Sequence, residues 1–404
     1  MLQPLCLAFA CALAVPARAQ GSSPPAGLVA EEAAASPGTP GVAPPSPAAA
    51  SQAAPPSSFR DPEDGRFDVS AFLDTAHGFL PLIVPITEPA LGYGAVAAAT
   101  FISGKGLGEG TRPNIATVGA LRTDNGTRGW FGAHLGTWFD DRLRTTVALA
   151  DMDVNLEFFG IGGEQISETG LRYSIKGKGG VLGGNYRIGA SDLWIGLRYA
   201  SVRTTVAFED AASSLPGVLP SDSSLRLGAL TPSITLDKRD NFFTPTNGWY
   251  LDLSIPVFRD SFGSDRNFEK ADLTGMWFRP LGETLFFAVR GSAKDSTSHT
   301  PFFLRPFVAL RGVQDLRFQG EQAAELEAEV RWRLKSRFSV VGFAGYGVAR
   351  SSLVQDRESS VTSGGAGFRY LIARRYGLHL GLDVASSADD TAIYVVFGNA
   401  WLRP

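Results

Sequence analysis

An all-β fold is what this sequence predicts: a transmembrane antiparallel β-barrel of about 16 strands, preceded by a signal peptide and a disordered linker. Three observations carry that prediction. Apolar and polar residues alternate with period two along most of residues 78–404. No apolar run beyond the amino-terminal leader reaches the roughly 18 residues a membrane helix needs. The alternating segments are about 9–12 residues long, the length of a tilted strand across hydrocarbon.

Residues 1–19 read as a signal peptide, with Leu5–Val15 as an apolar core and Ala17-Arg18-Ala19 as a small-x-small cleavage site before Gln20. The basic n-region is missing apart from the amino terminus, and Cys11 leaves a lipoprotein open as an alternative. Both cysteines, Cys6 and Cys11, fall in this leader. A mature chain without them has no disulfide framework and no cysteine-ligated metal, and no cofactor is expected. Residues 20–77 form the expected linker, Pro/Ala-rich over most of its length. Such a segment buries too little apolar surface to offset its conformational entropy, so it reads as a disordered periplasmic tether. The 37 Lys+Arg against 40 Asp+Glu, with no basic block, exclude nucleic acid as a partner.

Residues 78–404 read as one barrel domain. In the stretch from Ala323 to Leu334, Leu326, Ala328, Val330, Trp332 and Leu334 share one face, and Glu325, Glu327, Glu329, Arg331 and Arg333 the other. Leu378, Leu380, Leu382 and Val384 alternate with His379, Gly381, Asp383 and Ala385, and Ile195 and Leu197 alternate with Trp194, Gly196 and Arg198. A strand with these two faces has an oily side for outer-membrane lipid and a wet side for the lumen. Counted along the chain, the spans are 79–87, 91–103, 112–122, 127–139, 143–154, 171–189, 192–208 and 226–238. They continue as 248–258, 267–279, 283–295, 322–334, 338–349, 361–372, 375–386 and 391–402. A soluble sandwich would share the alternation, but not the leader, strand length and strand number together.

Enzyme chemistry is not expected. The four histidines, His77, His134, His299 and His379, sit in no setting that suggests a nucleophile and base. His134 and His379 are read as wall residues of the luminal face. The carboxylates Glu325, Glu327 and Glu329 share their face with Arg331 and Arg333, as in a charge ladder.

Three segments go beyond a generic barrel: Ile234-Thr235-Leu236-Asp237-Lys238-Arg239-Asp240-Asn241 with Pro245 and Gly248, Leu310-Arg311-Gly312 ahead of Phe318-Gln319-Gly320 and Glu329, and Phe158-Phe159-Gly160-Ile161-Gly162-Gly163. In this order they resemble the BamA/TamA superfamily of outer-membrane assembly barrels, which includes bacterial surface antigens. The resemblance implies a sixth extracellular loop folded into the lumen, its arginine, here Arg311, held by acids of the inner wall. Glu329 matches one such acid. The second falls within 342–347, where this sequence has Gly345, so either the lock is weaker or another acid such as Glu327 substitutes. Asp237, Arg239 and Asp240 are expected to order a turn by mutual pairing.

The resemblance further implies protein insertion or translocation, a weak seam between the first and last strands, and other outer-membrane proteins or unfolded barrel clients as partners. Two departures, the missing periplasmic capture domains and the missing second loop acid, keep an alternative open, a passive pore or structural surface antigen. Only the low-complexity tether precedes Gly78, where the family carries periplasmic capture domains. The chain finishes on Leu402-Arg403-Pro404 rather than on an aromatic residue.

Overall fold

The computed structural model describes residues 59–75, 78–103, 114–160, 170–208, 223–351, 357–388 and 390–402. The expected signal peptide and residues 20–58 of the expected linker lie outside them. No helix among the described residues is long and apolar enough to cross a membrane; the long elements are strands.

Seventeen strands form one antiparallel sheet. They are β1 (Gly78–Ile86), β2 (Gly94–Ser103), β3 (Asn114–Thr123), β4 (Arg128–Trp138), β5 (Leu143–Phe158) and β6 (Leu171–Arg187). Next come β7 (Leu193–Phe208), β8 (Ser223–Asp237), β9 (Gly248–Ser254), β10 (Val257–Phe258), β11 (Phe268–Pro280) and β12 (Leu285–Ser296). The last five are β13 (Gln322–Arg333), β14 (Phe338–Ser351), β15 (Arg357–Ala373), β16 (Leu378–Ser387) and β17 (Thr391–Phe397).

The extra strand beyond the expected sixteen is one stave broken in two. Both β9 and β10 pair with β8 on one side and β11 on the other. Between them lie Ile255 and Pro256, opposite Pro232 of β8, whose carbonyl accepts the Ile255 amide at 3.1 Å. Proline has no N–H to return that bond, so the ladder fails there and the strand is interrupted.

The faces divide as the alternation predicts. In β13, Leu326, Val330 and Trp332 are exposed on the outer wall while Glu325, Glu327 and Arg331 are buried inside. Leu382 and Val384 of β16 point outward, and Asp383 and Ala385 inward. His134 does not lie on the luminal face. Phe131 and Ala133 are the buried neighbours, so His134 takes the opposite parity and stands between Ala116 and the exposed Val147. The glycines that suggested a luminal position, Gly132 and Gly136, share that outward parity.

Odd and even staves run in opposite directions, so the chain enters at one end, here the near end, and the β12–β13 loop (297–321) leaves from the far end. Residues 59–75, within the expected disordered linker, are folded against the near end. Asp61, Asp64 and Asp68 converge on Arg337 in the β13–β14 turn, with Asp61 at 2.7 Å and Asp68 at 2.8 Å. The Val69 amide donates to Ile372 O at 2.8 Å, and a short helix (Ser70–Thr75) follows. Val69 and Leu73 pack against a cluster of Phe243, Ala373 and Tyr376. The tether argument rests on composition, and composition changes at this point: Phe59, Phe67, Val69 and Phe72 supply apolar surface and the three aspartates supply the counter-charge to the buried Arg337.

Candidate functional site

The lumen is filled by the β12–β13 loop. Phe303, Leu304, Phe307 and Leu316 join the main buried cluster on the inner wall of β5 to β8. Phe302 sits 5.1 Å from Phe158, 5.4 Å from Tyr173 and 5.6 Å from Phe208, ring to ring. Val308, Leu310 and Val313 pack against Ala323, Ala349 and Val361 on the other side. Two glycines of β14 make room for this packing. A Cβ on Gly347 would stand 2.2 Å from Val308, and one on Gly345 2.8 Å from Leu310. Space for the loop is therefore a physical reason for glycine where the resemblance led one to expect an acid.

Arg311 lies at the centre of this plug, 2 % exposed. Its Nε and Nη2 both donate to Glu327 Oε1, at 3.0 and 2.7 Å. Its Nη1 donates to Asp383 Oδ2 at 2.8 Å, and its backbone amide reaches Glu327 Oε2 at 3.3 Å. Glu329 is within ion-pair distance at 2.9 Å, but its Oε2 is not aligned as a hydrogen-bond acceptor. The ring of Phe343 stacks 3.5 Å from the guanidinium. Gly312 follows with φ +84°, its amide donating to the Tyr394 hydroxyl at 3.0 Å. A side chain there would meet the backbone of Ser386 at 2.7 Å, which requires glycine.

Three acids around one arginine would leave a buried negative excess. Arg369 offsets it, its Nη2 donating to Asp383 Oδ2 at 2.9 Å and its Nη1 to Oδ1. A second group fixes the loop backbone nearer the far end. Lys294 and Arg290 pair with Glu325 at 3.1 and 3.2 Å and donate to the carbonyls of Phe307 and Ala309 at 3.0 and 3.3 Å.

The last strand behaves differently from the span expected for it, 391–402. It stops at Phe397, and Gly398 turns with φ +74°. The tail then enters the lumen from the near end, where the buried Trp401 lies 5.9 Å from Phe278 and its Nε1 donates to Glu327 Oε1. A cavity of about 400 Å3 remains between this tail, the loop and the wall, with Arg239, Tyr250, Asp252 and Arg290 among its lining.

Of the residues singled out in the sequence, Arg311, Gly312, Glu327 and Glu329 come together here. The turn motif does not join them. Asp237 and Arg239 pair bidentately at 2.8 Å, Asp240 accepts from the Thr246 amide at 2.9 Å, and Asn241 Oδ1 caps the amides of Phe243 and Thr244. Gly248 has φ +108°, and a Cβ would stand 2.1 Å from Lys238 O. Pro245 lies in the same turn, between Thr244 and Thr246. These residues shape the near-end turn, and only the Arg239 side chain faces the luminal cavity. Asp383, Arg369 and Trp401 were missed. Asp383 was legible as the one acid on the Gly377–Ala385 face; Trp401 had no signal, because nothing in the alternation announces an inward turn.

β1 and β17 are, among the described residues, the two edge strands, each paired on one side alone. Among the described residues the register runs unbroken from β1 through β2 to β17, and no ladder joins β17 back to β1. The Val395 amide donates to Thr87 Oγ1 at 3.4 Å across this seam. Pro81 and Pro85 of β1 have the same parity, so both lack a donor on the same edge. The Asp124 amide donates to Tyr93 O, so the odd-numbered residues of β2 turn their N–H and C=O towards β3. Ala99 and Ala95, opposite Pro81 and Pro85, therefore make no ladder bond to β1, and the two proline nitrogens face the seam.

An antiparallel membrane barrel with an inturned, arginine-anchored loop defines a class of outer-membrane β-barrels. Residues 137–385 match the Omp85 superfamily domain, and the chain belongs to the Omp85 superfamily. No curated protein sequence matches it significantly. Among solved structures, BamA from Haemophilus ducreyi lacking POTRA domains 1–3 matches with a TM-score of 0.56 at 12% identity, over 79% of this chain and 69% of that one. CdiB from Escherichia coli matches with a TM-score of 0.54 at 13% identity, over 78% of this chain and 61% of that one. CdiB from Acinetobacter baumannii matches with a TM-score of 0.52 at 10% identity, over 79% and 59%. The chain thus spans less than two thirds of either CdiB, and the likeness at these identities is one of fold. The family and fold place the barrel in the outer membrane, as the resemblance to BamA and TamA implied.

Proposed function

We propose that this chain inserts or translocates other proteins at the outer membrane by opening laterally between β1 and β17. The carrying observation is the seam: two short edge strands joined by no ladder, one of them stripped of two donors by Pro81 and Pro85. Each missing donor removes a bond that would otherwise close the barrel, and each unpaired edge is a template for a client strand. The plug supports the same reading. A lumen filled by a loop with a fully buried anchor suits a wall that opens sideways better than a passive pore. In this scheme the tether before residue 59 lies in the periplasm, and unfolded barrel proteins and outer-membrane lipid are the partners.

The test is a T87C/V395C variant, which places a reversible bond across the seam. Oxidised protein is expected to lose its support of outer-membrane protein levels in a depletion strain, with recovery on reduction. Full support in the oxidised state would overturn lateral opening. Large, steady wild-type conductance in planar bilayers would point instead to a pore.

A further inference from the structure

The outer wall carries a feature that neither the plug nor the seam uses. Asp151 of β5, Lys178 of β6, Arg203 of β7 and Arg226 of β8 stand directly opposite one another in consecutive strands. All four side chains line one outward groove of about 410 Å3, together with Lys176 and Thr205 of the next row. Like charges directly opposite across a ladder repel. Here three cations follow in sequence with one acid at the end of the row. Asp151 is 3.8 Å from Lys178, a loose and exposed pair, and Asp153 spends its carboxylate on Arg128 at 3.8 Å. Asp265 accepts the backbone amide of Arg226 at 2.6 Å. Among the described residues, neither the Arg203 nor the Arg226 guanidinium has an acidic partner.

The height of the row on the wall identifies its occupant. One row closer to the near end, Leu149 is exposed; one further, Val147, Leu182 and Tyr199 stand opposite one another, all exposed. This apolar wall ends where the cations begin, so the row lies at the level of lipid headgroups on the far-end leaflet. Guanidiniums match phosphate oxygens in bidentate geometry, and neighbouring strands about 4.8 Å apart let two of them grip one phosphoryl group.

We propose that Lys178, Arg203 and Arg226 form a binding site for the phosphate-bearing headgroup of an anionic membrane lipid, whose acyl chains run along Leu149 and Leu182. A lipid, rather than free phosphate, is the occupant because the groove opens directly onto the apolar wall. The site neutralises the repulsion within the row and anchors the β5–β8 side of the barrel while the opposite side, the seam, stays free to move.

The experiment reconstitutes the full chain in phosphatidylcholine vesicles doped with phosphatidic acid and measures co-purified lipid by native mass spectrometry. Wild type is expected to retain phosphatidic acid over phosphatidylcholine, and an R203Q/R226Q variant to lose about tenfold or more of that preference. An R203K/R226K variant, which keeps the charge, is expected to recover a large part of it. Inorganic phosphate is expected not to displace the lipid. Heat-modifiable migration on gels checks that each variant is a folded barrel. Equal retention by wild type and the glutamine variant would overturn the site, and displacement by inorganic phosphate would overturn the lipid as its occupant.

Discussion

Trp401 and Arg311 donate to the same oxygen, Glu327 Oε1, from opposite ends of the barrel. The arginine arrives on the far-end loop and the indole on the tail that follows the last strand. One buried carboxylate therefore ties the plug to the strand that borders the seam. Glu327 can serve both because Gly345, directly opposite in β14, leaves space beside it.

Replacing Arg311 by alanine is expected to be the most damaging single change in the lumen. It leaves Glu327 as a buried carboxylate without its main counter-charge and Asp383 with Arg369 alone, at a cost of about 3–5 kcal/mol. The loop is then expected to leave the wall, giving long-lived conductance openings and new proteolytic cleavage within 297–321. Lysine is expected to rescue only in part, since a point charge cannot meet both Glu327 and Asp383 in the forked geometry. Bilayer recordings with limited proteolysis check this, and a closed, protected R311A barrel would contradict it.

Trp401→Phe keeps the ring against Phe278 and removes only the donor. A hydrogen bond to a charged group is worth about 1.5–3 kcal/mol. The loss is expected to be local, because Arg311 still satisfies Glu327. Hydrogen exchange should rise in 391–402 and leave 297–321 unchanged. If the tail is instead passive filler, exchange in 391–402 will match wild type.

The fold was legible because a period of two is written into every long strand: the outward Leu326, Val330 and Trp332 and the inward Glu325, Glu327 and Arg331 could each be assigned from parity alone. The lock was half legible. Arg311 and Glu329 followed from resemblance, yet the bidentate acid is Glu327, and Asp383 arrives from a strand three staves further on. Pairing at that separation depends on barrel curvature and on how deep the loop descends, neither of which a single strand encodes. The break at Ile255–Pro256 was visible in principle, since Pro232 and Pro256 remove donors where two ladders meet. The inward turn after Phe397 and the folding back of residues 59–75 depend on tertiary partners, Glu327 and Arg337, distant in sequence.

Arg337→Gln is expected to release residues 59–75 while the barrel stays intact. The hydrogen bond from Arg337 is the main reason the Asp64 carboxyl lies below its ordinary value of 3.8. Burial works to raise Asp68, but its hydrogen bonds to Ser70 and Arg337 outweigh that and hold it low as well. Carboxyls depressed in the docked state contribute docking that is fully present above 3.8 and is lost as pH falls through their lower docked values. Docking should therefore be flat from neutral pH to about 5 and weaken only below about 4. Hydrogen exchange in 59–75 across pH checks this, with R337Q expected to show fast exchange throughout.

The seam makes the sharpest demand on the proposed function. A P81A/P85A variant restores two N–H donors to the edge of β1 without changing charge, and removes only a little bulk outside the lumen. If those donors face β17, two new bonds become available, each worth about 0.5–1.5 kcal/mol net. The closed wall is then favoured over the open one by roughly 5- to 150-fold across the pair. Exchange of the β17 amides is expected to slow, and support of outer-membrane protein levels to fall, while thermal stability rises. A variant that is more stable and equally active would mean that opening does not occur at this seam. A variant that is unchanged in all three would mean that β17 offers the restored donors no acceptor in the closed wall.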